Sequence, residues 1–220
     1  MASANGYSDR LYQVVTSHSL AEFCVCVALK RTFDLLAAIA GLVVLSPLFL
    51  IIALAIKLDS NGPVLFRQLR HGRNEQTISV FKFRSMSVME NGDEFRQVKK
   101  NDPRVTRVGR VLRRTNMDEL PQLLNVLVGE MSIVGPRPQA IAHNRMYSEV
   151  IPRFCRRHSV KPGITGWAQA NGYRGETDTI EKMARRVEYD LHYIDHWSLW
   201  LDLKIVLMTL LSEKAYLNVY

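Results

Sequence analysis

LLAAIAGLVVLSPLFLIIALAI, from Leu35 to Ile56, is 22 residues long and carries no charged side chain. Coiled as a helix it would measure about 33 Å, enough to match the hydrocarbon core of a bilayer. A secretory signal is disfavoured, because the run is too long and no small-residue cleavage site follows it. A buried core helix is the alternative, but such a helix rarely stays apolar for about six turns. The segment therefore predicts a membrane-associated chain. Ser46-Pro47 falls at its middle, where proline removes a backbone hydrogen bond, clashes with the preceding turn and forces a kink. The Ser46 hydroxyl can serve the carbonyl so freed. Lys30 and Arg31 precede the run and Lys57 follows it, so the distribution of flanking charge selects no orientation. Two arrangements remain: a re-entrant helix that bends at Ser46-Pro47 and leaves by the face it entered, or a kinked span.

Outward from this segment, residues 1–28 hold few charges and no clear period, and read as a loosely ordered arm. Residues 59–220 read as the soluble part. Apolar residues are 47% and charged residues 23% of the chain, an ordinary globular balance that excludes disordered and fibrous classes. The net charge of +8 is uneven: residues 60–160 hold 18 Lys and Arg against 9 Asp and Glu. Such a region selects an anionic partner, namely phosphate, nucleic acid or lipid headgroup. Nucleic acid is disfavoured, since no recognised binding motif is present. Three cysteines (Cys24, Cys26 and Cys155) without zinc-ligand spacing fit a reducing compartment and argue against a disulfide framework.

After the turn signal Asn61-Gly62-Pro63, VLFRQ and TISVFKFRSM predict a strand pair. Alternation puts Phe81 and Phe83 on one face and Lys82 and Arg84 on the other. Two neighbouring cations call for an anion to compensate them, unless that face is simply solvated. Residues 85–101 read as a loop with a short helix. NDPRVTRVGRVLRRTN then predicts a helix with Asp102 as N-cap and Pro103 at its first position.

The most informative stretch is TNMDELPQLLNVLVGEM. Asn116 and Glu119 fit a relaxed capping box, Pro121 is tolerable in a first turn, and Leu120, Leu123, Leu124 and Leu127 recur at helical spacing up to Gly129. Asp118 and Glu119 thus sit at a helix start just after Arg113 and Arg114, where a carboxylate stays ionised and a phosphate can bind. One carboxylate could attack while the other holds a divalent metal; alternatively, both merely cap the helix. MSIVGPRP predicts a strand running into a Gly135-Pro136-Arg137-Pro138 loop whose prolines restrict Arg137, which suits bidentate phosphate binding. Arg156, Arg157 and Lys161 add cations before the turn-rich KPGITGWAQ, where glycines would let the backbone approach a ligand. Residues 178–196 predict an amphipathic helix that starts at Asp178 and Glu181, with Ile180, Met183, Val187, Leu191 and Ile194 on its apolar stripe. WSLWLDLKIVLMTLL reads as a helix at the membrane interface, with Trp197 and Trp200 at headgroup level, or else as a core helix.

Lys30 to Ile56, KFRSM, NDPRVTRVG, MDELPQLLNVL, SIVGPRP and KPGITGWAQ, in this order over roughly residues 29–220, closely resemble the bacterial sugar transferases, the monotopic polyprenyl-phosphate phosphoglycosyl transferases. The resemblance implies an α/β, membrane-associated fold. In it a re-entrant helix over residues 29–58 is broken at Ser46-Pro47, and interfacial amphipathic helices flank a small mixed α/β catalytic part at 59–220. It implies a minimal form of the family, without the further membrane bundle of larger members. It makes Asp118 the nucleophile and Glu119 its neighbouring acid, with Mg²⁺ (Mn²⁺ as the alternative) held at the pair. Lys82 and Arg84 match the basic strand, Asp102 and Arg104 the NDPR segment, and Gly135, Pro136, Arg137 and Pro138 the phosphate-facing loop. The implied reaction moves a hexose 1-phosphate, glucose favoured over galactose, from a UDP-sugar to polyprenyl (undecaprenyl) phosphate and releases UMP. It belongs to the first membrane step of exopolysaccharide or O-antigen synthesis, at the cytoplasmic face of the bacterial inner membrane. Inner-membrane lipid and a second copy of the chain complete the expected partners. The rival reading is a non-catalytic basic membrane adaptor for anionic lipid, which leaves the carboxylates among the arginines unexplained.

Overall fold

The computed structural model describes residues 20–87, 102–175 and 179–211. The expected arm up to residue 19, most of the loop at 85–101, and Asp178 lie outside the described residues. Helix α1, Leu20–Asp59, is 40 residues long and contains Pro47. The expected break at Ser46-Pro47 is a proline inside one helical element. Pro47 has no N–H for the Val43 carbonyl four residues earlier, and Ser46 Oγ donates to that carbonyl instead at 2.8 Å. By length and composition α1 can cross a membrane.

One face of α1 belongs to the protein core. Before Pro47, Ala38 packs with Ile78, Val80, Leu123, Val126 and Met131; after it, Ile52 and Ile56 pack with Phe83 and Leu112. The opposite face stays apolar and exposed, with Val43 67%, Leu50 72% and Leu58 79% accessible.

Strands β1, Leu65–His71, and β2, Thr77–Phe83, form the expected antiparallel hairpin, with Leu65 opposite Phe83 and His71 opposite Thr77. Helix α2, Arg107–Arg114, starts later than expected: its N-cap is Thr106, whose hydroxyl accepts from Gly109 N at 2.9 Å. Asp102 cannot cap it, because its Oδ1 already accepts from Arg104 N at 3.0 Å in the preceding turn. Helix α3, Gln122–Val128, ends as expected at Gly129, whose φ of 90° is the left-handed termination glycine permits. Strand β3, Ser132–Val134, pairs in parallel with β4, Gly163–Thr165, so the expected turn-rich stretch at 161–169 is a strand followed by the short helix α5, Trp167–Ala170. Its glycines serve chain-to-chain contact rather than a ligand: a Cβ on Gly163 would lie 2.1 Å from Gly135 N.

Helix α4, Ile141–Val150, and helix α6, Ile180–Asp195, sandwich Tyr147, Ile151, Phe154, Met183 and Val187. Thr179 caps α6 through Lys182 N at 3.3 Å, and Ile180, expected on the apolar stripe, is instead half-exposed. Helix α7, Leu199–Leu211, buries Asp202 and Ile205 on one face and exposes Trp200 and Leu211 on the other. Trp197 turns inward, contrary to its expected headgroup position, and donates Nε1 to Asp202 Oδ2 at 3.2 Å.

Buried and half-buried polar side chains fasten α1 to this body. Lys30 Nζ pairs with Asp202 at 2.8 Å, Asp34 Oδ1 accepts from Ser132 Oγ and Ile133 N at 3.0 Å, and Arg31 donates to the Val126 and Leu127 carbonyls at 2.6 and 2.9 Å. Asn125, fully buried, stitches α3 to β2: its Oδ1 accepts from Phe81 N at 2.9 Å, and its Nδ2 donates to the Ser79 carbonyl at 2.7 Å and Glu130 Oε2 at 2.8 Å. Replacing Asn125 with Leu leaves these groups unpaired, at about 1–3 kcal/mol for each that stays dry. Asn125→Leu is therefore expected to lower the unfolding free energy by about 3 kcal/mol in a denaturant titration. A loss under about 1 kcal/mol would mean that water replaces the amide.

Candidate active site

The turn Met117–Glu119 presents the two carboxylates between α2 and α3. The expected capping box does not form. Asn116 is left-handed at φ 58°, its side chain caps nothing, and Glu119 is drawn away by charge. Glu119 Oε1 accepts from Lys82 Nζ at 2.9 Å and Arg137 Nη2 at 2.7 Å; Oε2 accepts from Arg137 Nη1 at 2.9 Å and Arg174 Nη2 at 3.0 Å. Burial alone would raise this carboxyl, but Arg137, Lys82 and Arg174 outweigh it and hold it well below the usual range. The expected anion beside Lys82 is therefore Glu119 itself.

Asp118 is in the opposite condition. It is almost as buried as Glu119, yet no described residue donates a hydrogen bond to its carboxylate. Burial first, and then Glu119, push its carboxyl above the usual range, while Lys82, Arg113 and Arg137 pull it back. Among the described residues the Arg113 guanidinium has only the Met86 sulfur, at 3.7 Å, as a hydrogen-bonding partner. Arg70 completes the ring of cations beside Arg137 and Glu119, its guanidinium pushed down to about 10 by burial and by Arg137. Two carboxylates thus face Lys82, Arg70, Arg113, Arg137 and Arg174. That local excess of positive charge suits a polyanion such as a diphosphate.

Other expected site residues go elsewhere. Arg84 leaves the site and caps the end of α1, donating to the carbonyls of Asn61 at 2.6 Å, Ser60 at 2.5 Å and Ile56 at 3.3 Å. Strand alternation placed Arg84 beside Lys82, but its length lets it reach orphan helix carbonyls. Arg114 is exposed on α2. Asp102 and Arg104 pair with each other at 2.7 Å and are not among the donors on Glu119. Gly135 is needed for backbone packing, since a Cβ there would lie 2.5 Å from the Lys161 carbonyl, and Pro136 accepts from Gly163 N at 3.0 Å. Pro136 and Pro138 flank Arg137 as expected. Arg174 and Arg70 were not foreseen: a lone arginine in Gly-Tyr-Arg-Gly, or on a strand, carries no periodic or spacing signal.

Among the described residues, no group of three or more His, Cys, Asp or Glu side chains is placed to hold a metal ion. Mg²⁺ is usually held by one or two carboxylates together with substrate phosphates. Asp118, to which no described residue donates, fits that role; Glu119 would have to release one of its four donors to share it.

The bacterial sugar transferase family model matches residues 25–214. The chain is 58% identical over 190 residues to the UDP-glucose:undecaprenyl-phosphate glucose-1-phosphate transferase of Escherichia coli (strain K12), covering 86% of this chain and 40% of that protein. It is 50% identical to the protein of the same name from Caulobacter vibrioides, covering 87% of this chain and 72% of the relative. It is also 50% identical to the exopolysaccharide production protein PSS of Rhizobium leguminosarum bv. phaseoli, covering 84% of this chain and 94% of the relative. The chain thus spans less than half the length of the Escherichia coli relative.

The two carboxylates make opposite predictions for stability. Glu119 has a depressed folded pKa, so its contribution is present above the unfolded value of about 4.3 and is lost as pH falls through the folded one. Glu119→Gln is expected to cost about 3 kcal/mol at pH 7 and to flatten the acid side of the stability profile. Asp118 has a raised folded pKa, so its charge destabilises the fold once pH exceeds the unfolded value of about 3.9. Asp118→Asn is expected to raise the thermal midpoint at pH 7, an advantage that vanishes in acid. Melting curves across pH check both, and a destabilised Asp118→Asn would show that the carboxylate is satisfied after all.

Proposed function

The chain belongs to the bacterial sugar transferase family, and from that membership we propose that it transfers a hexose 1-phosphate from a UDP-sugar to polyprenyl (undecaprenyl) phosphate and releases UMP. The observation that carries this reading is Asp118: a buried carboxylate with no donor among the described residues, next to one held by three cations, in a site with positive charge to spare. An Asp118 oxygen attacks the phosphorus that carries the sugar. The bond from that phosphorus to the bridging oxygen breaks, and UMP leaves with the oxygen and its electron pair. The phosphosugar is then an acyl phosphate on Asp118. An oxygen of the lipid phosphate attacks the same phosphorus, the bond to Asp118 breaks, and the carboxylate is restored. Arg137, Lys82 and Arg174 keep Glu119 ionised and fixed, while Arg113 and Lys82 draw the anionic substrates toward Asp118. Mg²⁺ bound with the donor would offset the charge of its diphosphate. A base is not needed, because a phosphate monoester is already largely ionised near pH 7 (second pKa about 6).

Glucose is the proposed hexose. Relatives at 50–58% identity are named for UDP-glucose, whereas one named for N-acetylgalactosamine is 44% identical. The proposed place is the cytoplasmic face of the inner membrane, in exopolysaccharide synthesis. The packing supports a re-entrant topology. The same body contacts α1 at Asp34 and, through Val108 N, at Asp59. A straight span would separate those residues by about 37 Å, more than the hydrocarbon core. A body with so many charges cannot lie within the hydrocarbon.

Covalent transfer predicts a lipid-free half-reaction. Protein with Mg²⁺ and UDP-glucose should release one equivalent or less of UMP, and labelled UMP should exchange into UDP-glucose without polyprenyl phosphate. Asp118→Asn should abolish both. Exchange that strictly requires the lipid would overturn the covalent route while leaving the overall reaction standing. For topology, cysteines introduced near Lys30 and Lys57 should both resist an impermeant reagent in intact cells; labelling of only one would establish a span.

A further inference from the structure

Two of the side chains that hold Glu119 stand on loops. Arg137 lies in Gly-Pro-Arg-Pro and Arg174 in Gly-Tyr-Arg-Gly. Each loop is held from behind by another buried arginine. Arg157 Nη2 donates to the Arg137 carbonyl at 2.9 Å and to Asp190 Oδ2 at 2.7 Å. Arg186 Nη2 donates to the carbonyl of Gly175, the residue after Arg174, at 2.5 Å. Arg186 and Asp190 lie one turn apart on α6, so they share a face. Beneath them Arg157 rests over the Phe154 ring, 5.3 Å away, within the apolar cluster that includes Met183 and Val187. Arg157, Arg186 and Asp190 are 2%, 4% and 2% exposed.

None of the three donates to or accepts from Asp118 or Glu119, so their effect is exerted through the backbone. Nor does stability account for them. Asp190 pairs directly with Arg157 alone and offsets Arg186 only through space, and Arg157 Nε and Nη1 and Arg186 Nε find no acceptor among the described residues. Burial, reinforced by Arg137 and Arg157, pushes Arg186 down to about 9. An apolar trio of similar volume would serve packing as well or better. An apolar trio could not hold two carbonyls.

We propose that Arg157, Arg186 and Asp190 are a positioning layer, which fixes through the Arg137 and Gly175 carbonyls the places of the two guanidinium groups that hold Glu119. Its kinetic readout rests on the phosphosugar transfer proposed above; its geometry does not. The test uses the full chain in lipid nanodiscs with UDP-glucose, Mg²⁺ and undecaprenyl phosphate, comparing wild type with Arg186→Met, Arg186→Lys and Asp190→Asn. Arg186→Met should lower kcat at least about tenfold. Arg186→Lys keeps a donor for the Gly175 carbonyl and should recover much of that loss. Asp190→Asn, which frees Arg157 from its carboxylate partner behind the Arg137 carbonyl, should lower kcat by more than it lowers the folded fraction. The layer is overturned if Arg186→Met stays within about twofold of wild type, if Lys is no better than Met, or if kcat falls only in step with the folded fraction. If the wild type moves no phosphosugar, the functional reading fails on its own, and crystal structures of the wild type and the Arg186→Met variant decide the layer. Arg174 withdrawn from Glu119 in Arg186→Met supports the layer, and an unmoved Arg174 refutes it.

Discussion

A carboxylate sealed from water has to be matched by positive charge from the protein itself, and at Glu119 that match comes from three distant parts of the chain. Lys82 arrives on β2, Arg137 on the loop after β3, and Arg174 on the segment before α6. Removing one partner from such an arrangement leaves an uncompensated buried charge, so each of the three segments is constrained by the other two. The small sheets are too short to impose this order alone: β3 and β4 have three residues each. What the sheets do not fix, the ion pairs do. The same four hydrogen bonds that satisfy Glu119 leave Asp118, one residue away, without a donor among the described residues.

Helix α1 is a wall of the core rather than an anchor attached to it. Its inner face closes two of the apolar clusters, and Arg31, Asp34 and Asp59 cap or accept from elements of the body. Arg84 returns the service by holding the carbonyls at the end of α1. An apolar face left exposed along so long a helix is far larger than soluble proteins tolerate, and it continues the expectation of a bilayer on that side.

Periodicity and punctuation made the gross plan legible. The apolar run, the hairpin with its alternating faces, the termination at Gly129 and the amphipathic helix before Trp197 follow from local rules that act within a few residues. The Ser46 hydroxyl on the Val43 carbonyl was legible for the same reason: donor and acceptor lie three residues apart. The misread positions are those where another partner, near or distant, displaced the expected one. Asp102 has the composition of an N-cap, but the backbone and guanidinium of Arg104 took its oxygens, and Thr106 capped the helix instead. Asn116 and Glu119 have capping-box spacing, yet ion pairs across the fold are stronger than one backbone bond. Arg84 and Lys82 looked equivalent on one strand face, and only the position of the α1 terminus separates a helix cap from a site residue. For Arg174, Arg186 and Asp190 no local rule exists. Their roles depend on which loops α6 meets.

The contrast between adjacent carboxylates also says how the site divides stability from reactivity. Each donor on Glu119 lowers its basicity and its freedom, which makes it a fixed negative charge around which cations are ordered. Asp118 inherits the field of those cations without their hydrogen bonds. It is therefore ionised only against the resistance of burial and of its neighbour, the condition in which a carboxylate gains most by acquiring a new bond. Moving one guanidinium from Glu119 to Asp118 would make the fold more even and Asp118, the proposed nucleophile, weaker. The geometry that prevents this lies behind the loops: Arg157 and Arg186 hold the backbones of Arg137 and Gly175, and so keep both guanidinium groups on the Glu119 side of the pair.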